Sequence, residues 1–144
     1  MNTRPQNLGA RPFDIAMLDH RGKVIVSSSH NDTRYMMRVL LEMWGYEVVE
    51  ADGEEETVEA AERFMPNAIL VDTTRSFDED LKIVSRLRVS TLLKMVPIFV
   101  LSGFTQAQNY RAAIDHGATN LLAKPLDLDL LESSLEAAFT SMSI

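Results

Sequence analysis

Five short apolar runs, each followed by a stretch in which apolar residues recur every three or four positions, organise this chain. The β-branched run Val24-Ile25-Val26 predicts a first strand. After it, Asn31 or Asp32 supplies an N-cap, Met36, Val39, Leu40 and Met43 fall on one helical face, and Gly45 ends the helix. Met36, Met37 and Met43 read as core filler, and Trp44 as packing at the helix end. Residues 47–51 predict a second strand, Asp52-Gly53 a turn, and Glu54, Glu55 and Glu56 a helix start where the macrodipole favours acids. The run Ala68-Ile69-Leu70-Val71-Asp72 is the third strand, followed by a helix over 80–90 with Leu81, Val84 and Leu87 on one side. Pro97 opens a fourth strand over 98–101, and the next helix, over 106–116, stops at Gly117. A last strand over 121–123 leads into Lys124-Pro125, and Asp127 caps a final helix with Leu131, Leu135 and Phe139 facing inward.

Strict alternation of strand and helix requires parallel strands, because each helix must carry the chain back to begin the next strand in the same direction. The expected fold class is α/β, a doubly wound five-stranded parallel sheet in the order 2-1-3-4-5 with helices on both faces. In that order the first and third strands are neighbours, so Ser28, Ser29 and Asp72 lie together. Ser28, Asp72, Ser102 and Lys124 all stand at carboxyl ends of strands, where such sheets bind ligands. Residues 1–22, with Pro5, Gly9, Pro12 and Gly22, read as an N-terminal extension ahead of one domain over 23–144. Within the extension, Phe13-Asp14-Ile15-Ala16-Met17-Leu18 suits an added strand or arm, with a loosely docked tail preferred.

Composition narrows the partners. A chain of 144 residues with 46% hydrophobic content can bury a core without staples, and the lack of cysteine excludes disulfides and thiolate zinc sites. The N-terminus has no signal-peptide run and no segment suits a bilayer span, so the expectation is a cytoplasmic protein without membrane contact. A net charge of -7 would repel a nucleic-acid backbone, which leaves another protein as the expected partner.

Three segments then resemble a known family. Pro66-Asn67-Ala68-Ile69-Leu70-Val71-Asp72, Pro97-Ile98-Phe99-Val100-Leu101-Ser102-Gly103 and Gly117-Ala118-Thr119-Asn120-Leu121-Leu122-Ala123-Lys124-Pro125 are similar, in order and spacing, to the signature segments of response regulator receiver domains. Gly45-Tyr46-Glu47-Val48 and Ala51-Asp52-Gly53-Glu54 stay in register with them, and the resemblance runs from Lys23 to about Phe139. It implies the flavodoxin-like receiver fold and a stand-alone receiver in a two-component phosphorelay. By the same resemblance Asp72 is the phosphoacceptor, Ser102 the hydroxyl that contacts the phosphoryl group, and Lys124 its cation. The implied partners are a sensor histidine kinase or phosphotransfer protein and a downstream protein target, with a homodimer contact also open on the face of the fourth helix, last strand and last helix. At most the chain would phosphorylate itself from a donor and dephosphorylate itself.

The chemistry of those residues agrees with the roles. A carboxylate can accept a phosphoryl group if the transferred oxygens meet fixed positive charge and donors. The family carries an acidic pair after the first strand that holds Mg2+ with the acceptor; here those positions are Ser28 and Ser29, so Mg2+ binding is expected to be weak or absent. Asp32 fits a helix cap and His30 a solvent-facing loop better than a metal ligand. Leu121 occupies the usual aromatic switch position, Ser76 the usual proline and Asp80 the usual glycine, while Gly103 leaves room beside Ser102.

Two other classes compete. A phosphorylation-independent pseudo-receiver would keep the fold as a binding module that signals through protein contacts; for Asp72 and Lys124 themselves the bland alternative is a buried salt bridge. A flavodoxin-like phosphate or FMN binder would use the polar loop Ser27-Ser28-Ser29-His30-Asn31-Asp32-Thr33, although it lacks glycine and a flavin-stacking aromatic. A haloacid-dehalogenase-type phosphatase ranks lower, because Asp72-Thr73-Thr74 lacks the second aspartate, and Ser28, His30 and Asp32 are too close in sequence for a hydrolase triad.

Overall fold

A computed structural model describes residues 21–74 and 76–142 of the chain. The elements are β1 (Gly22–Ser27), α1 (Asn31–Met43), β2 (Tyr46–Ala51), α2 (Glu54–Phe64), β3 (Ala68–Asp72), α3 (Phe77–Val89), a 3-10 turn (Thr91–Leu93), β4 (Ile98–Ser102), α4 (Ala107–His116), β5 (Asn120–Ala123) and α5 (Leu128–Met142). All strand pairs are parallel, in the order β2-β1-β3-β4-β5, which is the expected arrangement. The Phe13 to Leu18 segment, read as an arm or added strand, lies outside the described residues.

Each central strand is covered on both faces, so alternate residues feed two cores. Ile25, Ile69, Val71, Ile98 and Val100 pack with Leu81, Val84 and Leu87 of α3 and Ala113 of α4. On the other face Val24, Val26, Leu70, Phe99 and Leu101 meet Met37 and Leu41 of α1 and Leu131 and Leu135 of α5. Each large aliphatic side chain buried this way contributes about 1.5–3 kcal/mol of transfer free energy, enough to set which face of each helix turns inward.

On α1 that face differs from the expectation. Met37 and Leu41 are buried at 7% and 0% relative exposure, whereas Met36 and Met43 are 70% and 77% exposed and Val39 also faces out. Met36, Met43 and Val39 are therefore not core residues. The Met37–Leu41 stripe faces β1 and α5, and Leu40 and Trp44 pack partly buried against the same cluster as expected, while Met36, Val39 and Met43 turn outward. Neither Asn31 nor Asp32 caps the helix; His30 is the N-cap residue and makes no side-chain bond there. Helix α3 begins at Phe77 rather than near Asp80, because Ser76 caps it, its Oγ accepting from the Glu79 N–H. No described helix is long and apolar enough to cross a membrane.

Candidate functional site

The carboxyl ends of β1, β3, β4 and β5 meet along one edge of the sheet. β1 pairs with β3 through Ser27 and Val71, β3 with β4 through Asp72 and Leu101, and β4 with β5 through Ser102 and Ala123. Beyond the strand ends, the Ser28 N–H donates to the Ala51 carbonyl, Thr73 N–H to that of Leu101 and Lys124 N–H to that of Ser102. The backbone thus stays paired up to the residues whose side chains form the site.

Asp72 is buried, and both its oxygens are engaged. Oδ1 forms an ion pair with the Lys124 ammonium, which also donates to the Thr73 carbonyl at 3.2 Å. Oδ2 accepts from Ser28 Oγ at 2.9 Å, and the same Ser28 oxygen accepts from the His30 N–H at 3.1 Å. Ser28 therefore relays a backbone donor onto the carboxylate while adding no charge. Arg34, on the first turns of α1, donates to the Ser28 carbonyl and pairs with Glu50, which fixes the loop from behind.

Ser29 does not reach Asp72; its hydroxyl shares a hydrogen bond with that of Thr74 and so ties the loop after β1 to the loop after β3. Ser102 is fully buried, and its Oγ accepts from the Phe104 N–H at 2.8 Å rather than bonding to Asp72. The structure thus brings Asp72, Lys124 and Ser28 into direct contact and keeps Ser29 and Ser102 one step out. Asp32 and His30 are exposed. A Cβ added at Gly103 would meet nothing within 4 Å, so the space beside Ser102 is open.

Contacts that the sequence did not foretell complete the site. Ser27 and Thr57 share a buried hydrogen bond of 2.7 Å that fastens α2 to the tip of β1. Asp80 is nearly buried on the first turn of α3, and its Oδ2 accepts from the Thr74 N–H at 2.9 Å. The signal for this start of α3 is present in the chain as Ser76-Phe77-Asp78-Glu79, a serine followed three residues later by glutamate. A cleft of about 320 Å³ opens beside Asp72, lined by Ser28, Ser29, Glu54, Asp72, Glu79 and Asp80 among others.

Among the described residues no three or more His, Cys, Asp or Glu side chains are grouped to hold a metal, and both Asp72 oxygens already have partners. Of the two serine hydroxyls after β1, that of Ser28 donates to Asp72 Oδ2 and that of Ser29 is bonded to Thr74. Chemically the site is a buried carboxylate facing a fixed ammonium, with a polar cleft on its open side.

Comparison with known proteins agrees with this architecture. Residues 24–136 match the family model of the response regulator receiver domain. The chain is 28% identical over 140 residues to the sensory/regulatory protein RpfC of Xanthomonas campestris, covering 92% of this chain and 19% of that protein. It is also 28% identical over 120 residues to the transcriptional regulatory protein ZraR of Salmonella typhimurium, covering 82% of this chain and 27% of the relative. The similarity is therefore to one part of each longer protein. Among solved structures, the Vibrio cholerae chemotaxis protein CheY4 superposes with a TM-score of 0.74 at 25% identity, covering 81% of this chain and 97% of that one. A two-component response regulator from Clostridium difficile gives 0.75 at 20% identity over 85% and 98% of the two chains, a likeness of fold alone.

Proposed function

We propose, from the premise that this chain belongs to the response regulator receiver domain family, that it accepts a phosphoryl group at Asp72 with little or no dependence on Mg2+ and signals through protein contacts. The receiver unit is assigned to 23–144, with 1–22 as its extension. One observation carries the reading: a strand-end carboxylate faces an ammonium from the same chain beside an open polar cleft. In the transfer an Asp72 oxygen attacks phosphorus, the new O–P bond forms as the donor's bond to phosphorus breaks, and the donor leaves with that electron pair. Lys124 supplies fixed positive charge for the transferred oxygens, and Ser102, next along β4 to the Leu101 that pairs with Asp72, is the hydroxyl assigned to contact them. Ser28 and Ser29 stand where the family has its acidic pair, so the metal's share of charge stabilisation is missing and transfer is slow. The donor is a phosphohistidine of a sensor kinase or phosphotransfer protein, and the receiving partner of the signal is a downstream protein.

The occupied Asp72 oxygens favour a second reading, a pseudo-receiver that works without phosphorylation. Intact mass after incubation with acetyl phosphate, with and without Mg2+, separates the two. The first reading expects an adduct in wild type that is absent in Asp72→Asn and insensitive to chelator. No adduct under either condition leaves the pseudo-receiver.

A further inference from the structure

Asp80 differs from the other carboxylates of the cleft. Asp72 meets Lys124, Glu54 meets Arg86 and Glu79 meets Lys82, while Asp80 has no ion-pair partner among the described residues. It is 9% exposed and is held by one neutral donor, the Thr74 N–H at 2.9 Å. Thr74 is bonded through its hydroxyl to Ser29, and its neighbour Thr73 offers its carbonyl to Lys124. One side chain on the first turn of α3 thus holds the residue that closes the loop after Asp72 against the loop after β1. An asparagine would make the same bond without desolvating a charge, so what the carboxylate adds is its charge.

We infer that Asp80 is a positioning residue that latches Thr74 over Asp72, and that its charge makes the latch loosen when negative charge is added at Asp72. The second half rests on the phosphoacceptor reading for its natural trigger; the first half stands without it. Asp72 and Asp80 are both buried and line the same cleft, and with one lysine facing Asp72 a phosphoryl group leaves uncompensated negative charge there. Repulsion then weakens the Asp80 hold on Thr74, and the first turn of α3 is released. A route through α3 suits a receiver in which Leu121 has no ring or hydroxyl to reorient.

Hydrogen exchange at the Thr74 amide, followed by NMR, tests both halves. Asp80→Ala should speed that exchange about tenfold, and Asp80→Asn, which keeps an oxygen acceptor, should restore it to near the wild-type rate. Asp72→Asn, which removes charge without any donor, should slow the exchange when Asp80 is present and leave it unchanged in the Asp80→Asn background. Unchanged exchange in Asp80→Ala would overturn the latch. An equal effect of Asp72→Asn in both backgrounds would overturn the charge response. If Asp80→Ala does not fold, as judged by exchange of the β3 amides, the Asp72→Asn comparison in the two remaining backgrounds still decides. With acetyl phosphate, adduct formation should speed Thr74 exchange in wild type and not in Asp80→Asn. Failure to form an adduct refutes the phosphoacceptor reading alone, because the four-variant comparison needs no donor.

Discussion

At the scale of single residues, the Asp72–Lys124 pair is asymmetric. The Asp72 side chain is 2% exposed and that of Lys124 32%, so stranding the carboxylate costs more than stranding the ammonium, which can reach water. Lys124→Met should lose about 3 kcal/mol in urea unfolding, Asp72→Asn distinctly less, and the double variant should recover most of the Lys124→Met loss. Ser28→Asp with Ser29→Asp adds two carboxylates to the loop after β1, the first at the position in contact with Asp72. That variant should gain a Mg2+-dependent rise in melting temperature that wild type lacks, measured across a Mg2+ titration. Tyr46 provides a pH test. Burial pushes its phenol above the ordinary tyrosine range, partly offset by the Arg21 guanidinium stacked 4.8 Å from its ring. The folded state therefore holds the phenol proton more tightly than the unfolded chain, and the associated stability is present below about pH 10 and lost as pH rises through the folded value. Tyr46→Phe should flatten that alkaline decline in thermal melts. It should cost little at neutral pH, since Tyr46 Oη has no hydrogen-bond partner among the described residues.

At the scale of elements, α1 separates a core stripe from a surface one. Leu41→Ala should destabilise by about 2–5 kcal/mol, whereas Met43→Ala should stay within about 0.5 kcal/mol, by chemical denaturation. If Met43→Ala cost as much as Leu41→Ala, the orientation of α1 would be wrong. The strands and the faces of α3 and α5 were legible, because Leu81, Val84, Leu87, Leu131 and Leu135 each sit on a single apolar stripe, and all five are fully buried. The face of α1 was legible only in part: Met37, Leu40 and Trp44 pack on the core, but periodicity gives nearly the same signal for adjacent stripes, and contact with β1 and α5 leaves Met36, Val39 and Met43 outside. The start of α3 was misplaced by three residues for a different reason: the acidic first turn Asp78-Glu79-Asp80 carries no apolar period, and the Ser76 cap was the available clue.

At the scale of the whole molecule, alternation of strand and helix was enough for the sheet order, since handedness and parallel pairing leave few ways to close it. The same topology placed Ser28 beside Asp72 and carried Lys124 across from β5, both legible from strand ends alone. The hydroxyl of Ser102 turned to the Phe104 amide, the Ser29–Thr74 bridge and the hold of Asp80 on Thr74 were not legible. Those contacts depend on rotamers and loop paths, which strand periodicity does not encode. The tethering of Lys124 to the same chain as Asp72 has a further consequence. A counter-ion drawn from solution is present in proportion to its supply, whereas one carried on a strand has an effective concentration set by chain geometry. The resting state of this carboxylate is therefore buffered against the ionic composition of its surroundings, and what can displace its partner is a competing anion or a movement of β5.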